Sequence, residues 1–226
     1  MAWDFGVQIN SLTQFDGNET TIASEEGENF DVLATRWLTD AAKEVISLMP
    51  ANLKQKCAQL TVLNNAATTM DLDNVGDILQ VTRKNADSGY HMPCRKIPAA
   101  YGDASNDSTN MMYYATATDP VYWVTSNSSD AATLFVKPTP TANQTANVYH
   151  IIYPTVDHAA IIIDNFPDEA EYLVVLRAAI TAAQYKLNFE EDIELYGGIL
   201  ATLKAQYTEG VQAMKAGEIT PLQQGK

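Results

Sequence analysis

The last third of the chain contains a long, nearly regular repeat of apolar residues, and this repeat limits the folds that the chain can adopt. Apolar side chains recur at steps of three and four residues, close to the spacing of a heptad. The members of this stripe are Phe189, Ile193, Tyr196, Leu200, Leu203, Tyr207, Val211 and Met214. A stripe of this length predicts a long amphipathic helix that must bury one face against other helices.

A second long helix is predicted immediately before it. Pro167 suits a first helical turn, and the acids that follow it suit the positive end of the helix dipole. The predicted apolar face comprises Tyr172, Leu173, Leu176, Ala179, Ile180, Ala183 and Leu187. Because residues 188–191 resemble a capping box with almost no linker, we expect an antiparallel hairpin. Gly197 and Gly198 are candidates for a close helix crossing or a kink.

An earlier helix is predicted to complete a bundle with this hairpin. Asn29 or Asp31 can cap its start, and Pro50 ends it. Its apolar residues again follow spacings of three and four: Phe30, Leu33, Trp37, Ala41, Val45 and Leu48. We therefore expect a third helix against the hairpin.

The central region, residues 58–155, has the pattern of β structure. Short runs rich in β-branched and aromatic residues alternate with turn-forming clusters. The candidate strands are residues 60–63, 78–82, 94–97, 112–115, 121–125, 134–137 and 148–153. Sequential strands joined by short turns favour antiparallel meanders. Because the strands are short and the loops long, we expect a small sheet with insertions and not a full barrel.

Together these patterns predict an α+β protein in which a long antiparallel α-helical hairpin and a further helix form a bundle with an inserted antiparallel β-rich region. The predicted organisation is an extended N-terminal arm over 1–29, a helical bundle over 30–57 and 156–215, a β-rich insertion over 58–155 and a C-terminal tail over 216–226. The arm is polar and acidic without a sustained period, so it cannot bury enough surface alone. We expect partner chains to hold it.

The charge of the chain argues against one class of function. The chain has 28 acidic and 14 basic residues and a formal net charge of −14, whereas a grip on nucleic-acid phosphates needs clustered Lys and Arg. The acids concentrate in two blocks: residues 1–35 hold seven acids and no base, and residues 157–194 hold nine acids against two bases. A solvated surface that favours solubility is the simplest interpretation of each block.

The sequence offers little support for catalysis. His91, His150 and His158 do not form a zinc-binding pattern, and no phosphate-loop, dinucleotide-binding or nucleophile-elbow pattern occurs. Acids in a first helical turn are explained more simply by capping than by a glycosidase pair. Cys57 and Cys94 are expected to be free thiols, and no stretch is apolar for long enough to cross a membrane. We expect no enzyme activity, no metal and no cofactor.

Two basic pairs, Arg83-Lys84 and Arg95-Lys96, each close a predicted strand. One interpretation is that Arg83, Lys84, Arg95 and Lys96 are polar strand ends. The other is that they form a modest basic patch for inter-subunit contact with an acidic neighbour.

Several short phrases follow one another in a distinctive order. They are YYATATDPVYWV at 113–124, LFVKPTP at 134–140, VYHIIYP at 148–154 and FPDEAEY at 166–172. This order resembles that of the head-to-tail connector (adaptor or neck) proteins of tailed bacteriophages, in which a β-rich insertion ends in Tyr-Pro and a long helical hairpin follows. The resemblance covers about residues 31–215.

The resemblance implies a structural virion protein without catalytic activity. Its subunits would form a ring of twelve that docks on the portal protein, extends the DNA channel and receives tail nozzle, tube or fibre proteins. DNA would pass through without specific binding, no membrane would be involved, and the protein would reside in the virion neck after assembly in the bacterial host cytoplasm. The alternatives are another tail or neck component (a tail terminator, tube or baseplate protein) and a virion-associated cell-wall hydrolase.

Two sets of site residues follow from this resemblance. An acidic channel wall repels DNA, so part of the second acidic block is expected to face the lumen, through Asp168, Glu169, Glu171, Glu190, Glu191 and Glu194. By the same analogy, the C-terminal tail is expected to contact the portal through Ile219, Pro221 and Leu222.

Overall fold

The structure is a computed structural model that describes residues 3–14, 29–126, 132–189 and 193–217. The chain divides into a helical unit, Met1–Cys57 with Tyr153–Lys226, and a β unit, Ala58–Ile152. The α+β class predicted from the sequence is confirmed. The β unit is inserted at one point between the two segments of the helical unit.

Helices of very different length make up the described part of the helical unit. They are α1 (Phe5–Thr13), α2 (Phe30–Leu48), α3 (Ala51–Lys54), α4 (Asp168–Phe189) and α5 (Ile193–Ala216). α2 lies within the limits predicted by Asn29 and Pro50. α5 ends before Gly217, which takes a positive φ of 74° that glycine adopts without strain.

Helix α4 is the helix around which this unit packs. Its buried apolar residues lie on several sides and most of them are small: Ala170, Leu173, Val174, Val175, Ala178, Ala179, Ile180, Ala182 and Ala183. A helix that is apolar all round is covered by several neighbours, and α4 contacts α1, α2 and α5. The single apolar face predicted for α4 was therefore too narrow.

Helices α4 and α5 run in opposite directions along their contact. Gly210 lies against Leu173, Leu203 shares a buried cluster with Ala179, Ile180 and Ala183, and Lys186 lies 5.9 Å from the centre of the Tyr196 ring. From one contact to the next, the residue number increases in α4 and decreases in α5, as it does in an antiparallel pair.

Helices α4 and α5 approach each other closely at Gly210, a glycine that the sequence pattern did not single out. A Cβ on Gly210 would stand 2.6 Å from Leu173 Cδ2 and 2.8 Å from Tyr172 Oη. Gly197 and Gly198, which were predicted to mark a crossing or a kink, have no described atom within 4 Å of such a Cβ. The crossing therefore depends on Gly210.

The N-terminal residues differ from the extended arm predicted over 1–29. Residues 5–13 form α1, and Asp4 caps it by accepting a hydrogen bond from the Val7 N–H at 2.7 Å. Phe5 and Ile9 are buried, and α1 packs on α4, so the chain itself holds this segment. A helix of nine residues is too short for its period to be evident in the sequence. Residues 15–28 lie outside the described residues.

The described residues of the β unit form two four-stranded sheets. Their strands are β1 (Ala58–Leu63), β2 (Thr69–Asp71), β3 (Val75–Lys84), β4 (His91–Pro93), β5 (Arg95–Lys96), β6 (Val121–Ser126), β7 (Ala132–Lys137) and β8 (Ala146–Ile152). One sheet has the order β1-β8-β3-β4 and the other the order β2-β7-β6-β5. Their pairings are antiparallel except for the short parallel pair β5–β6.

This topology corrects the predicted single sheet of meanders. β3–β4 and β6–β7 are sequential neighbours, but the last strand, β8, lies between β1 and β3. Residues 112–115, predicted as a strand, instead form a turn region, in which Asn110 Oδ1 accepts hydrogen bonds from the N–H groups of Met112 and Tyr113. The composition of that segment is typical of a strand, but a side chain outside it satisfies its backbone donors.

Apolar residues from both sheets form the core of the β unit. The main cluster comprises Leu63, Met70, Val81, Leu134, Val136, Ala146 and Val148. A smaller cluster includes Val121 and Trp123, and Trp123 stacks on Phe135 with ring centroids 5.4 Å apart. The buried positions alternate along β6, β7 and β8, as they do in strands that bury one face.

His150 continues the buried alternation of β8 and predicts acid sensitivity. Its Nε2 lies 2.9 Å from Thr61 Oγ1, while its buried Nδ1 has no hydrogen-bond partner among the described residues. Burial lowers the pKa of His150. Because the unfolded chain then binds the proton more readily, the free energy of unfolding is expected to fall as the pH drops below about 6.5 towards the folded-state pKa.

Urea unfolding of His150→Gln at several pH values between about 5 and 7.5 tests this expectation. The variant should lose most of the acid-dependent decline, because glutamine does not take up a proton. His91→Gln, at an exposed position in the same unit, is the matched control and should keep the decline. An equal decline in both variants would contradict the assignment to His150.

Candidate interaction surfaces

Arg83 lies inside the β unit and belongs to no surface patch. Only 2% of its surface is exposed. Its Nε donates to Pro138 O at 2.7 Å, and its Nη2 donates to Gln144 Oε1 at 2.6 Å. Burial lowers the pKa of the Arg83 guanidinium. The predicted inter-subunit role of Arg83 is wrong, because its hydrogen-bonding groups are turned towards acceptors of its own unit.

The other basic residues of the predicted patch reach the surface. Arg95 and Lys96 are exposed and Lys84 is half-buried. Arg95 forms a salt bridge with Asp119 at 2.8 Å, and the hydrogen bond from Arg95 to this carboxylate raises the pKa of the guanidinium. Exposed ion pairs contribute little to stability. The main effect of this pair is to hold Arg95 in one position.

Arg95 in that position anchors a turn that presents two methionines to solvent. Its Nη1 donates to Met112 O at 3.1 Å. In this methionine turn (residues 110–115), Met111 is 97% exposed and Met112 is 68% exposed. Tyr113 stacks on Tyr101 with ring centroids 4.2 Å apart. An ordered turn with two exposed methionines is typical of a contact surface.

Two acids expected at a channel wall have partners within the helical unit. Glu169 accepts a hydrogen bond from Lys56, and this bond lowers the pKa of the carboxyl. Glu171 accepts a hydrogen bond from the Ile163 N–H at 2.7 Å, and burial raises the pKa of Glu171. Both carboxylates therefore fasten chain segments next to α4.

Asp168 and Glu194 are the exposed acids of the predicted set within the described residues. They lie in the first turns of α4 and α5. Because these helices run in opposite directions, the two acids lie at opposite ends of the pair, about 30 Å apart along a helix of this length. Glu190, Glu191 and the portal-contact candidates Ile219, Pro221 and Leu222 lie outside the described residues.

A polar junction joins three helices. Arg177 of α4 donates from Nε to Glu44 Oε2 of α2 at 2.7 Å, and the Tyr207 hydroxyl of α5 donates to Glu44 Oε1 at 3.1 Å. Burial, followed by the nearby Glu44 charge, raises the pKa of Tyr207. The junction fixes α2, α4 and α5 in one register.

Backbone pairing beside α1 creates a second exposed apolar surface. Phe5 N donates to Ala160 O at 3.0 Å, and Gly6 N donates to His158 O at 2.8 Å. The two segments are therefore antiparallel, and the residues before Gly6 lie beside the residues after His158. This pairing places Trp3 towards Ile161 and Ile162, and we call these three exposed apolar residues the α1 patch.

Acidic side chains accompany the α1 patch. They are Asp4, Asp31, Asp157 and Asp164. The His158 ring lies between two of them, with Nε2 at 3.4 Å from Asp31 and Nδ1 at 3.1 Å from Asp157. The patch is thus apolar with acidic surroundings.

The described residues include no group of three or more His, Cys, Asp or Glu residues arranged to hold a metal ion. Burial raises the pKa of Cys57 to about 11 and the pKa of Cys94 to about 12. Both thiols therefore stay protonated near neutral pH. Among the helices of the described ranges, none is long and apolar enough to cross a membrane.

Neither a protein-family model nor a curated protein matches this chain. Sequence reasoning found the basic pairs and the exposed acids but missed the methionine turn and the Glu44 junction. The turn was missed because residues 112–115 have the composition of a strand. The junction has no local signal, because its members come from three separate helices.

Proposed function

We propose that this protein is a structural component of a tailed-bacteriophage virion, a head-to-tail adaptor that forms a ring on the portal and extends the DNA channel towards the tail. The observation that carries the proposal is the β unit inserted at one point between the segments of a helical unit. This order is that of the connector proteins that the sequence resembles. By that resemblance the ring has twelve subunits.

In this proposal, α4 and α5 are the long hairpin of a bundle and α2 is its third helix. The buried cluster between α4 and α5, the close approach at Gly210 and the Glu44 junction support a rigid element. A ring subunit benefits from such rigidity because interfaces made by stiff surfaces lose less entropy on assembly.

In this proposal, the acids that line the channel are those whose carboxylates do not hold neighbouring segments in place. Asp168 and Glu194 are exposed at opposite ends of the α4–α5 pair, and Glu190 and Glu191 belong to the same set. Glu169 and Glu171 instead hold neighbouring segments. Acids spread along the length of a channel repel the DNA backbone over that length, so DNA slides without adhering.

Reconstitution with the portal protein of the same viral genome tests this function. The two purified proteins are mixed and examined by negative-stain electron microscopy and native mass spectrometry. The expected result is a ring of twelve copies on one face of the portal. Persistent monomers beside unoccupied portals would contradict the proposal, and peptidoglycan cleavage in a zymogram would favour the hydrolase alternative.

The C-terminal tail supplies a separate prediction. Removal of residues 216–226, which include Ile219, Pro221 and Leu222, is expected to weaken portal binding by about tenfold or more, because apolar anchors dominate such contacts. Co-sedimentation with the portal measures the loss. A truncated protein with native helical content and undiminished binding would contradict this role of the tail.

A further inference from the structure

We propose that strand β1 leaves the edge of its sheet when His150 takes up a proton, while the rest of the β unit stays folded. The strand then acts as a pH-dependent device, because its release lengthens the connection between Cys57 and the remaining sheet by six residues. This inference concerns the free chain and does not rest on the proposed adaptor function.

The His150 ring is enclosed in a way that suits only its neutral form. Only 1% of the residue is exposed, Nε2 lies 2.9 Å from Thr61 Oγ1, and Nδ1 has no hydrogen-bond partner among the described residues. Protonation makes both ring nitrogens donors. One N–H of the charged ring would therefore be buried without an acceptor, and this is costly. The charged ring is stable only where water reaches it.

Strand β1 adjoins the ring and is weakly held. It lies at the edge of its sheet, where it pairs with β8. Leu63 is the single buried residue of its six, whereas Leu60 is 50% exposed and Val62 is 45% exposed. Elements with few buried apolar contacts open at a low cost in free energy. Because Thr61 of β1 supplies the partner of Nε2, release of β1 uncovers this side of the ring.

Strand β3, on the other side of β8, is held more firmly. The register between β3 and β8 shifts on both sides of Ile78, which is opposite His150, so the ladder is irregular there. However, β3 also pairs with β4, and its residues Val81 and Arg83 are buried. Release of β3 would disrupt the apolar cluster that Val81 joins. We therefore expect β1, and not β3, to open.

The other titratable groups beside His150 do not reverse this effect. Those on β1, β3 and β8 are Asp77, Arg83, Lys84 and Tyr149. Tyr149 precedes His150 and so points to the opposite face of β8. Asp77 is exposed, and the positive charges at the far end of β3 oppose protonation in the same sense as burial. Tyr122 and Cys94 pack against the apolar cluster, and burial raises the pKa of each, so both are uncharged.

The open state binds the proton more tightly than the closed state. In the open state His150 is exposed and titrates near its ordinary pKa of about 6.5, whereas burial lowers its pKa in the closed state. The population of the open state therefore rises as the pH falls through about 6.5, by at most about tenfold per pH unit. The rise ends below the closed-state pKa, because both states are then protonated.

Hydrogen–deuterium exchange of the full-length protein tests the release of β1. Exchange is followed by mass spectrometry at about pH 7.5 and about pH 5.5 and is corrected for the intrinsic effect of pH on amide exchange. The protection of residues 58–63 is expected to fall by about threefold to tenfold at the lower pH, while that of residues 121–126 on β6 stays constant. Unchanged protection of β1, or an equal loss in both strands, would overturn the proposal.

Two substitutions assign the effect to the imidazole. The His150→Gln variant has no proton to take up at this position and should keep β1 equally protected at both pH values. His91→Gln, at an exposed position on β4, is the matched control and should retain the loss. An undiminished loss in His150→Gln would overturn the proposal.

An NMR titration of the wild-type His150 ring keeps the proposal testable if His150→Gln does not fold. The imidazole signals should report protonation over the same pH range in which β1 loses its protection. A ring that stays neutral while β1 opens would overturn the proposal. Neither measurement involves the portal, so the outcome is separate from that of the adaptor function.

Discussion

Replacing Gly210 with valine is expected to lower the free energy of unfolding by about 2–3 kcal/mol. A Cβ at this position would stand 2.6 Å from Leu173 Cδ2. Leu173 is fully buried, so its methyl group cannot move aside without displacing its neighbours on α4. The clash can otherwise be relieved only if α5 shifts away from α4. Such a shift opens the buried cluster around Leu203. Urea unfolding followed by helical circular dichroism measures the loss.

Gly198→Val is the matched control for this substitution. Gly198 lies in the same helix, and a Cβ there has no described atom within 4 Å. Valine has a slightly higher helix propensity than glycine, so this variant should be unchanged or more stable by up to about 0.5 kcal/mol. Similar losses in both variants would show that the replacement of a glycine within α5, and not the close approach of α4 at Gly210, lowers the free energy of unfolding.

Replacing Arg83 with alanine is expected to lower the free energy of unfolding by about 3 kcal/mol. The change removes one of the largest fully buried side chains among the described residues and leaves a cavity. It also removes the donors to Pro138 O and Gln144 Oε1. Unpaired buried acceptors cost about 1–3 kcal/mol each, and partial access of water reduces this figure. Urea unfolding followed by tryptophan fluorescence reports on the β unit when Trp3 and Trp37 are replaced with phenylalanine, so that Trp123 is the remaining emitter.

Two control substitutions show whether the buried hydrogen bonds of Arg83 or its positive charge stabilises the β unit. Lys84→Ala removes the adjacent positive charge, and Arg95→Ala removes an exposed ion pair with Asp119. Each should cost less than about 1 kcal/mol. A loss at Lys84 as large as that at Arg83 would mean that the positive charge at this end of β3, and not the buried hydrogen bonds, stabilises the unit.

Local sequence patterns sufficed for the long helices. The limits of α2 follow from Asn29 and Pro50, and the stripe from Tyr196 to Met214 lies within α5. These features depend on residues three or four apart, which local periodicity reports directly. The α+β class followed from the same reasoning applied to the central region.

Features that depend on distant residues could not be predicted. β8 lies between β1 and β3 although the intervening turns favour meanders. Arg83 looks like a polar strand end, yet its acceptors lie more than fifty residues away, at Pro138 and Gln144. Gly210 differs from Gly198 only in what the neighbouring helix places opposite it. In each case the deciding contact joins segments that no sequence window contains together.

The pairing of β1 with β8 has a consequence for how such a chain evolves. Ala58, where the β unit begins, is directly opposite Ile151, next to its last residue. The Cα atoms of opposed antiparallel residues are about 5 Å apart. The two ends of the β unit therefore lie as close together as the two ends of a tight hairpin. A lineage can therefore exchange the inserted unit without changing the distance between the two points where it joins the helical segments.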